Sequence, residues 1–313
     1  MICPLSRRNA LKSLGGGLLA GCSLAGAIDA FPPSAHRGPS PYERLVLAGR
    51  PIGYWRLGEA DANLPANDVS PAARHGSYHG GVLLGQRGAI ASDQNTSATF
   101  DSDAYVQLTG DPAFSIATSS LGMSVEVWMR PDQLDFPTSS EGYVHWLGKG
   151  EDGTNEWGFR FYPQSDPKRS NRISAYAWNL DGGLGAGAYF QDALAVGRWM
   201  HIVACFDQAS RSPTNASPGV RIYRDGMFRQ GPPNKGCLYR NPDWNVNPKH
   251  GAAPLRFGTR DRKSFLVGGL DEVAIYPRVL SPIEIAAHYK VGSGADLTPE
   301  EQQALRQLLN PPE

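Results

Sequence analysis

The segment 268–285 constrains the fold of this 313-residue chain more than any other. It combines a glycine pair, a mostly apolar run over 270–276 and a proline at 277. Segment 281–284, Ser-Pro-Ile-Glu, then forms a capping box, with serine at the N-cap, proline at the first helical position and glutamate at the third. The pattern predicts a strand that ends at a proline and is followed at once by a short helix.

Glycine and proline are abundant and are scattered between short apolar runs. The chain has 36 glycines and 25 prolines, and in this arrangement they mark the turns of a fold made of many short strands. One all-β sandwich uses about 200 to 250 residues, so the length fits a single domain. The formal net charge is zero, which does not suggest the one-signed surface that nucleic acid requires, and no nucleic-acid partner is predicted.

Alternation of side chains along the central segments predicts which faces are buried. In segment 124–130, one face carries Val125, Val127 and Met129, and the other carries Glu126, Trp128 and Arg130. Segments 156–162 and 172–178 alternate in the same way. Segment 199–206 is apolar on both faces, which predicts a central strand and makes His201 a core histidine rather than a metal ligand.

Helices are predicted after the last strand. The capping box at 281–284 begins a helix that runs to about Lys290 and stops at Gly292. Segment 298–301, Thr-Pro-Glu-Glu, has the same type of capping pattern and predicts a second short helix from Glu300 to Leu309. The predicted domain therefore covers residues 42–292, and residues 293–313 form a short helical tail.

The N-terminal segment has the features of an export signal. Segment 6–12, Ser-Arg-Arg-Asn-Ala-Leu-Lys, resembles the twin-arginine signal, and the apolar segment behind it is too short to span a bilayer. Segment 19–22, Leu-Ala-Gly-Cys, resembles a bacterial lipobox, which implies that residues 1–21 are a signal peptide and that Cys22 is lipidated. Cleavage near Ala25 or Ala27, which would discard Cys22, is the alternative.

An exported lipoprotein would be held at the cell envelope, with its domain facing the periplasm or the exterior. Residues 22–41, rich in proline, serine, alanine and glycine towards the C-terminal end, are predicted to tether the lipid to the domain. In an oxidising compartment the remaining cysteines, Cys205 and Cys237, are expected to form a disulfide. Two separate buried thiols are the alternative.

Six short sequence elements occur in an order typical of one family. They are Tyr54-Trp55-Arg56-Leu57, Phe100-Asp101 with Tyr105-Val106, the segment 124–131, Trp199-x-His201-Ile202-Val203, Ile222-Tyr223-x-Asp225-Gly226 and Gly269-Leu270-Asp271-Glu272-Val273-x-Ile275-Tyr276. The succession resembles the laminin G-like, concanavalin A-like domains of bacterial surface proteins over residues 42–289. The resemblance implies an all-β, two-sheet jelly-roll sandwich with short C-terminal helices.

Members of this family often hold calcium at the rim of the sandwich, and the resemblance implies calcium ligands here. The candidates are Asp101 and Asp103, in the turn after Phe100, and Asp271 in the final strand. The alternative is that the first two aspartates hydrogen-bond to their own turn and that Asp271 caps the end of a strand.

The resemblance does not decide between binding and catalysis, because the family includes sugar binders, adhesion modules and some glycanases. Glycoside cleavage needs two carboxylates that flank the bond. The related glucanases have Glu-x-Asp-x-x-Glu on one strand, and here Glu59-Ala60-Asp61 is followed by Leu64 at the third position. Glu126 has no acid two or five residues further along, so no enzyme activity is predicted.

Aromatic side chains are the predicted ligand-binding residues. Trp128, Tyr176 and Trp178 are expected to line one sheet and to stack on a sugar, and Trp244 is expected in a loop beside polar neighbours. Packing beneath loops is the alternative for the first three. The sequence thus predicts a non-catalytic module that binds a glycan or a surface protein. A polysaccharide hydrolase or lyase and a structural envelope protein are the alternatives.

Overall fold

A computed structural model describes residues 38–136, 142–229 and 245–309. Over these ranges the chain forms two antiparallel sheets, of eight and seven strands, that pack face to face, with three α-helices outside them. The predicted all-β sandwich with short C-terminal helices is confirmed. The predicted signal, Cys22, Cys237 and Trp244 lie outside the described residues.

The bounds of the elements are as follows. The strands are β1 Gly53–Trp55, β2 Ser77–His79, β3 Leu83–Arg87, β4 Thr96–Phe100, β5 Tyr105–Gln107, β6 Gly122–Pro131, β7 Val144–Lys149, β8 Trp157–Phe161, β9 Ile173–Asn179, β10 Gly182–Phe190, β11 Met200–Asp207, β12 Gly219–Arg224, β13 Met227–Arg229, β14 Leu255–Phe257 and β15 Gly268–Tyr276. The helices are α1 Pro41–Ala48, α2 Pro282–Ser293 and α3 Pro299–Leu309.

The order of the strands interleaves distant parts of the chain. The eight-stranded sheet runs β13-β12-β11-β6-β15-β4-β3, and β1 joins it by pairing with β15. The seven-stranded sheet runs β10-β9-β8-β7-β14-β5-β2. The last strand, β15, therefore lies in the middle of the larger sheet between β6 and β4. A strand in this position must be apolar on its inner face, and its residues are buried throughout.

The alternation predicted for segment 124–130 is confirmed. Val125, Val127 and Met129 point into the core between the sheets, where they meet the inner side chains of the seven-stranded sheet. Glu126 and Trp128 point to the opposite face of the same strand and are also buried. The outer face of the larger sheet is therefore covered, and the covering elements are the helices.

Helix α1 is absent from the sequence-based prediction, although the sequence carries a signal for it. Ser40 accepts a hydrogen bond from the Glu43 backbone N–H at 3.1 Å, and Pro41 begins the helix. This Ser-Pro-x-Glu pattern is the same that begins α2 after Ser281. Helix α1 buries Tyr42 and Val46 in the layer of residues that covers the larger sheet.

Helix α2 extends past the residue at which the sequence analysis ends it. Gly292 lies within the helix, and a Cβ there would lie 2.5 Å from the Trp128 ring. Gly294 has a left-handed backbone, with φ of 74°, and is the C-cap. The first glycine therefore permits close packing of the helix on the sheet, and the second one ends the helix.

The carboxylate of Glu126 joins the covering helices to the larger sheet. Its Oε1 accepts hydrogen bonds from Tyr42 Oη of α1 at 2.8 Å and from His201 Nε2 of β11 at 2.8 Å. Its Oε2 accepts from Tyr276 Oη of β15 at 2.7 Å, and His288 Nδ1 of α2 lies 3.0 Å from both oxygens. Four elements thus converge on one fully buried carboxylate, and His201 is a core histidine as predicted.

The charges of this network stabilise each other. Burial alone would raise the pKa of Glu126, but the charge of His288 and the hydrogen bonds from both histidines hold it well below its usual range. Burial would lower the pKa of His288, but the charge of Glu126 and their hydrogen bond raise it. Since the Glu126 pKa is lowered, its contribution to stability is lost only as the pH falls. Since the His288 pKa is raised, its contribution is lost as the pH rises.

The substitution Glu126→Gln should therefore lower the free energy of unfolding most when the pH lies between the two unfolded-state pKa values. These are about 4.3 for glutamate and about 6.5 for histidine. In this window both charges are present, and removing one partner of a buried pair costs about 3–5 kcal/mol. Urea unfolding from pH 4 to 9 measures the difference from the wild type. Tyr276→Phe removes one hydrogen bond and no charge, so its cost should vary less with pH. A pH-independent cost for Glu126→Gln would contradict this account.

Candidate ligand-binding site

The outer face of the seven-stranded sheet is not covered by the three helices, and its side chains form two rows across β8, β9 and β10. Arg160 pairs with Ser174, which pairs with Tyr189, and this makes the first row. In the second row Tyr176 lies between two glycines, Gly158 and Gly187. Because the side chains of a strand alternate between its faces, the apolar neighbours of these residues fill the core.

Glycines in β10 allow two aromatic rings to lie flat on the sheet. A Cβ at Gly187 would lie 2.3 Å from Cδ1 of Tyr176, and a Cβ at Gly185 would lie 2.7 Å from Nε1 of Trp178. Real side chains do not approach so closely. The rings therefore occupy the volume that the side chains of β10 would take in an ordinary sheet.

Arg160 stacks on this aromatic surface. Its guanidinium carbon lies 4.8 Å from the ring centroids of both Tyr176 and Trp178 and 4.3 Å from that of Tyr143. Its Nε donates a hydrogen bond to Nε2 of His145 at 3.1 Å. The arginine is thus fixed by three rings and one histidine.

His145 links the arginine to a loop that lies on the same face. Its Nδ1 is 3.2 Å from Oδ2 of Asp261, which also pairs with Arg260 at 2.9 Å. Burial lowers the pKa of His145 to about 4, so the ring is neutral at physiological pH, accepts from Arg160 and donates to Asp261. Burial alone would raise the pKa of Asp261, but the hydrogen bond from His145 and the charge of Arg260 hold this pKa below its usual range.

Two further arginines stack on tyrosines at the edge of this face. The guanidinium carbon of Arg172 lies 4.0 Å from the Tyr189 centroid, and that of Arg169 lies 5.2 Å from the Tyr162 centroid. Burial raises the pKa of the Tyr176 hydroxyl, and the charges of Arg160, Arg172 and Arg169 oppose this rise. Of the three guanidiniums, that of Arg160 stacks on the Tyr176 ring itself, and the other two stack on neighbouring tyrosines.

We call this set of residues the arginine–tyrosine face. Its members are Tyr143, His145, Arg160, Tyr162, Arg169, Arg172, Tyr176, Trp178 and Tyr189. Of these, Tyr176 and Trp178 are predicted from the sequence, and the arginines are not. The signal was present in segment 156–162, where Arg160 lies on the face opposite to Trp157, Phe159 and Phe161.

The structure does not bring together the three aromatic residues that were predicted to line one sheet. Trp128 is on the other sheet, beneath α2, and only 3% of it is exposed. Trp178 is also 3% exposed, with Arg160 and Arg260 stacked on its ring. Both tryptophans therefore lack an open ring surface for a sugar, which corrects that expectation. Tyr176 is half-buried and retains access to solvent.

The three predicted calcium ligands do not share a site. Asp101 and Asp103 are exposed, and Oδ1 of Asp101 accepts from the backbone N–H of Ser102 in its own turn at 2.6 Å. Asp271 is buried, and its Oδ2 accepts from the Ala89 N–H at 2.7 Å. Over the described ranges, no three His, Cys, Asp or Glu side chains are placed to hold a metal ion. The residues named do not fit a calcium ion, and calcium binding itself stays a prediction.

Two adjacent carboxylates in β15 lie where the strand changes partner. Residues 268–270 pair with β4 and residues 273–275 pair with β1, so the irregularity after Asp271 falls between the two partners. Glu272 has a φ of 54° there and accepts from Arg56, Tyr54 and Asn95. Burial, together with the charge of Glu272, raises the pKa of Asp271 well above its usual range.

These carboxylates do not form a catalytic pair. Glu126, Asp271 and Glu272 are at most 1% exposed. Glu59, from the partial glucanase pattern, accepts hydrogen bonds from the Asn67 backbone and Tyr78, and Asp61 caps the turn at Asn63. A glycoside hydrolase needs one carboxylate on each side of an accessible bond, and none of these residues is so placed.

Cys205 is fully buried on the outer face of β11. Its Sγ accepts from Ser124 Oγ at 3.3 Å, and burial raises the pKa of its thiol to about 11. Because Cys237 lies outside the described residues, the disulfide stays a prediction. Among the described helices, none has the length and apolar character needed to cross a membrane.

Comparison with known proteins agrees with this architecture. The family model for the concanavalin A-like lectin/glucanases superfamily matches residues 100–286. A comparison with curated proteins finds no match.

Solved structures share the fold at low sequence identity. The receptor-binding domain of botulinum neurotoxin mosaic serotype C/D has 12% identity and a TM-score of 0.53 over 78% of this chain and 51% of that chain. The binding domain of Paraclostridial Mosquitocidal Protein 1 has 10% identity and a TM-score of 0.51 over 78% and 52%. This chain thus spans about half the length of these toxin domains.

A third solved structure is matched over nearly its whole length. It is domain 4 of AbnA, a GH43 extracellular arabinanase from Geobacillus stearothermophilus, in complex with arabinotriose. The identity is 14% and the TM-score 0.50, over 77% of this chain and 98% of that domain. At such identities these likenesses show the fold alone.

The flat packing of Tyr176 on β10 gives a direct test of the site geometry. Gly187→Ala places a Cβ against the ring and should destabilise the protein by about 1–3 kcal/mol, the usual cost of overpacking. Gly81→Ala is the matched control, because nothing lies within 4 Å of its added Cβ, and its effect should stay within about 0.5 kcal/mol. Urea unfolding measures both. Equal costs for the two variants would contradict the described packing.

Proposed function

Because this chain belongs to the concanavalin A-like lectin/glucanases superfamily, we propose that it is a non-catalytic module that binds a glycan at the bacterial cell envelope. The observation that carries the proposal is the arginine–tyrosine face. It combines half-buried aromatic rings with fixed hydrogen-bond donors, and both are features by which proteins recognise sugars.

The distribution of buried surface favours this face over the other outer face. The eight-stranded sheet is covered by α1 and α2, whose side chains fill the layer above it. On the seven-stranded sheet Arg160, Tyr176 and Tyr189 retain access to solvent. A ligand that lies across β8, β9 and β10 would contact both rows of side chains without displacing an element of secondary structure.

The state of the carboxylates supports binding without catalysis. The buried acids Glu126 and Glu272 are each held by several partners of the protein itself. The arabinanase domain, solved with arabinotriose, is a domain of this fold that carries an oligosaccharide. The superfamily also includes glucanases, so hydrolysis is the alternative that an experiment must address.

A glycan array probed with the full chain tests the proposal. We expect binding to at least one glycan class and no release of reducing sugar from the bound polymers. Tyr176→Ala should weaken binding by about tenfold or more, if a sugar ring gains from Tyr176 an energy similar to the roughly 1–3 kcal/mol that a nucleobase gains from stacking on one aromatic ring.

Phe228→Ala is the matched control for that variant, because Phe228 is an exposed aromatic residue on the edge of the larger sheet. It should bind as the wild type does. Absence of binding to every glycan would overturn the proposal, and release of reducing sugar would replace it with hydrolysis.

We further propose that the module is held on the membrane through a lipid on Cys22. The support is the lipobox-like segment 19–22 behind a short apolar stretch. Each buried methylene of an acyl chain contributes about 0.8 kcal/mol to membrane binding, so several chains suffice to retain a soluble domain.

Metabolic labelling with radioactive palmitate in a bacterial host tests the anchor. The wild-type chain should carry the label and sediment with membranes, and Cys22→Ala should lose both. Cys205→Ala is the control and should keep the label. Label that persists in Cys22→Ala would refute lipidation at this residue.

A further inference from the structure

We infer that the arginine–tyrosine face recognises an anionic glycan, one whose sugars carry carboxylate or sulfate groups. The inference rests on the proposed function and adds the chemical class of the ligand. It depends on three observations: the pairing of the arginines, the rigidity of two of their guanidinium groups, and the position of Tyr176 beside them.

The first observation is an excess of positive charge that is local to this face. Arg160, Arg169 and Arg172 have no carboxylate partner among the described residues. Many other arginines do have such partners. They include Arg56, Arg74, Arg130, Arg221, Arg224, Arg229, Arg256, Arg260 and Arg278. The chain as a whole has a formal net charge of zero. Three guanidiniums without carboxylate partners, from Arg160 in β8 and from Arg169 and Arg172 in the connection between β8 and β9, therefore indicate a site for negative charge.

The second observation is that two of these guanidiniums, those of Arg160 and Arg172, are held in place. Arg172 stacks on Tyr189 at 4.0 Å, and its Nε and one terminal nitrogen donate to Oε1 of Gln191 at 3.2 and 3.0 Å. Arg160 is held by stacking on the Tyr143 ring and by its hydrogen bond to His145. An arginine that is already ordered loses less entropy when it binds, and its planar fork fits the oxygens of a carboxylate or a sulfate.

The third observation is that an aromatic ring lies beside the arginines. Tyr176 lies flat on Gly187, the guanidinium carbon of Arg160 lies 4.8 Å from its ring centroid, and Arg172 directly precedes β9, the strand that carries Tyr176. A sugar ring could stack on the tyrosine while its acidic substituents meet the guanidiniums. A neutral glycan would use the ring alone and would leave the arginines without anionic partners.

Two matched pairs of polymers, each immobilised and titrated with the full chain, test the inference. Dextran sulfate and dextran differ in sulfate groups, and polygalacturonate and its fully methyl-esterified form differ in free carboxylate groups. We expect at least one anionic polymer to bind about tenfold more tightly than its neutral counterpart at 0.1 M salt. This preference should fall at 0.5 M salt, because ions screen charges over shorter distances there.

Substitutions distinguish binding at the arginine–tyrosine face from non-specific attraction between the polymer and the positive charges of the protein. The double substitution Arg169→Ala/Arg172→Ala should weaken anionic binding by about tenfold or more. Arg172→Lys keeps the charge but loses the fork and the stacking, so it should fall between wild type and the double variant. Arg87→Ala is the control, since this exposed arginine lies on β3 of the other sheet. Thermal unfolding of each variant establishes that it is folded.

Each result decides between the proposals. Equal losses in Arg87→Ala and in the double variant would overturn the inference, as would tighter binding of a single-stranded DNA oligonucleotide than of any polysaccharide. If the neutral polymers bind as well as the anionic ones, the anionic class is wrong and the glycan-binding proposal stands. If neither these polymers nor the glycan array show binding, both proposals fail.

Discussion

The buried carboxylate of Glu126 is the interaction on which the covered half of the molecule depends. A charge without partners in such a place would cost many kcal/mol, because burial removes its hydration. Tyr42 and His288 come from helices α1 and α2, whereas His201 and Tyr276 come from the sheet. The carboxylate therefore favours one position of the two helices over the larger sheet, since any other position would leave it without two of its four partners. Apolar packing around Trp128 adds area to this contact, but not the same specificity.

The closing strand shows how a single irregularity organises its surroundings. β15 pairs with β6 along one edge, but β4 and β1 share the other edge between them. At the junction Glu272 has a left-handed backbone and binds Arg56, which follows β1, and Asn95, which precedes β4. Perturbed carboxylates of this kind often mark active sites. Here their complete burial and their contacts with both neighbouring strands give them a structural role.

Strand alternation and capping boxes predicted individual elements of the fold from the sequence, because both depend on neighbours within a few residues, whereas the arrangement in two sheets was predicted from the family resemblance. The inward face of β6, the central position of β11 and the two C-terminal helices are examples. Helix α1 had the same Ser-Pro-x-Glu signal at residues 40–43 and was missed, because its apolar run also fits a strand. The site was harder to predict. The approach of Arg160 to Tyr143, Tyr176 and Trp178 depends on strand register and on the loop that carries Arg260, and neither is encoded locally.

The two sheets cover the aromatic residues of their outer faces in different ways, and the difference supports the proposed place of ligand recognition. On the larger sheet, Trp128 is covered by a helix that approaches through Gly292. On the smaller sheet, Trp178 is covered by Arg160 and Arg260. Arg260 is buried and pairs with Asp261, so the group above the indole that retains access to solvent is the guanidinium of Arg160. A tryptophan with an open ring would favour sugars in general. The proposed preference for sugars with negative charge follows from this cover, because the Arg160 guanidinium can exchange water for an anionic partner while its stacking on the rings is retained.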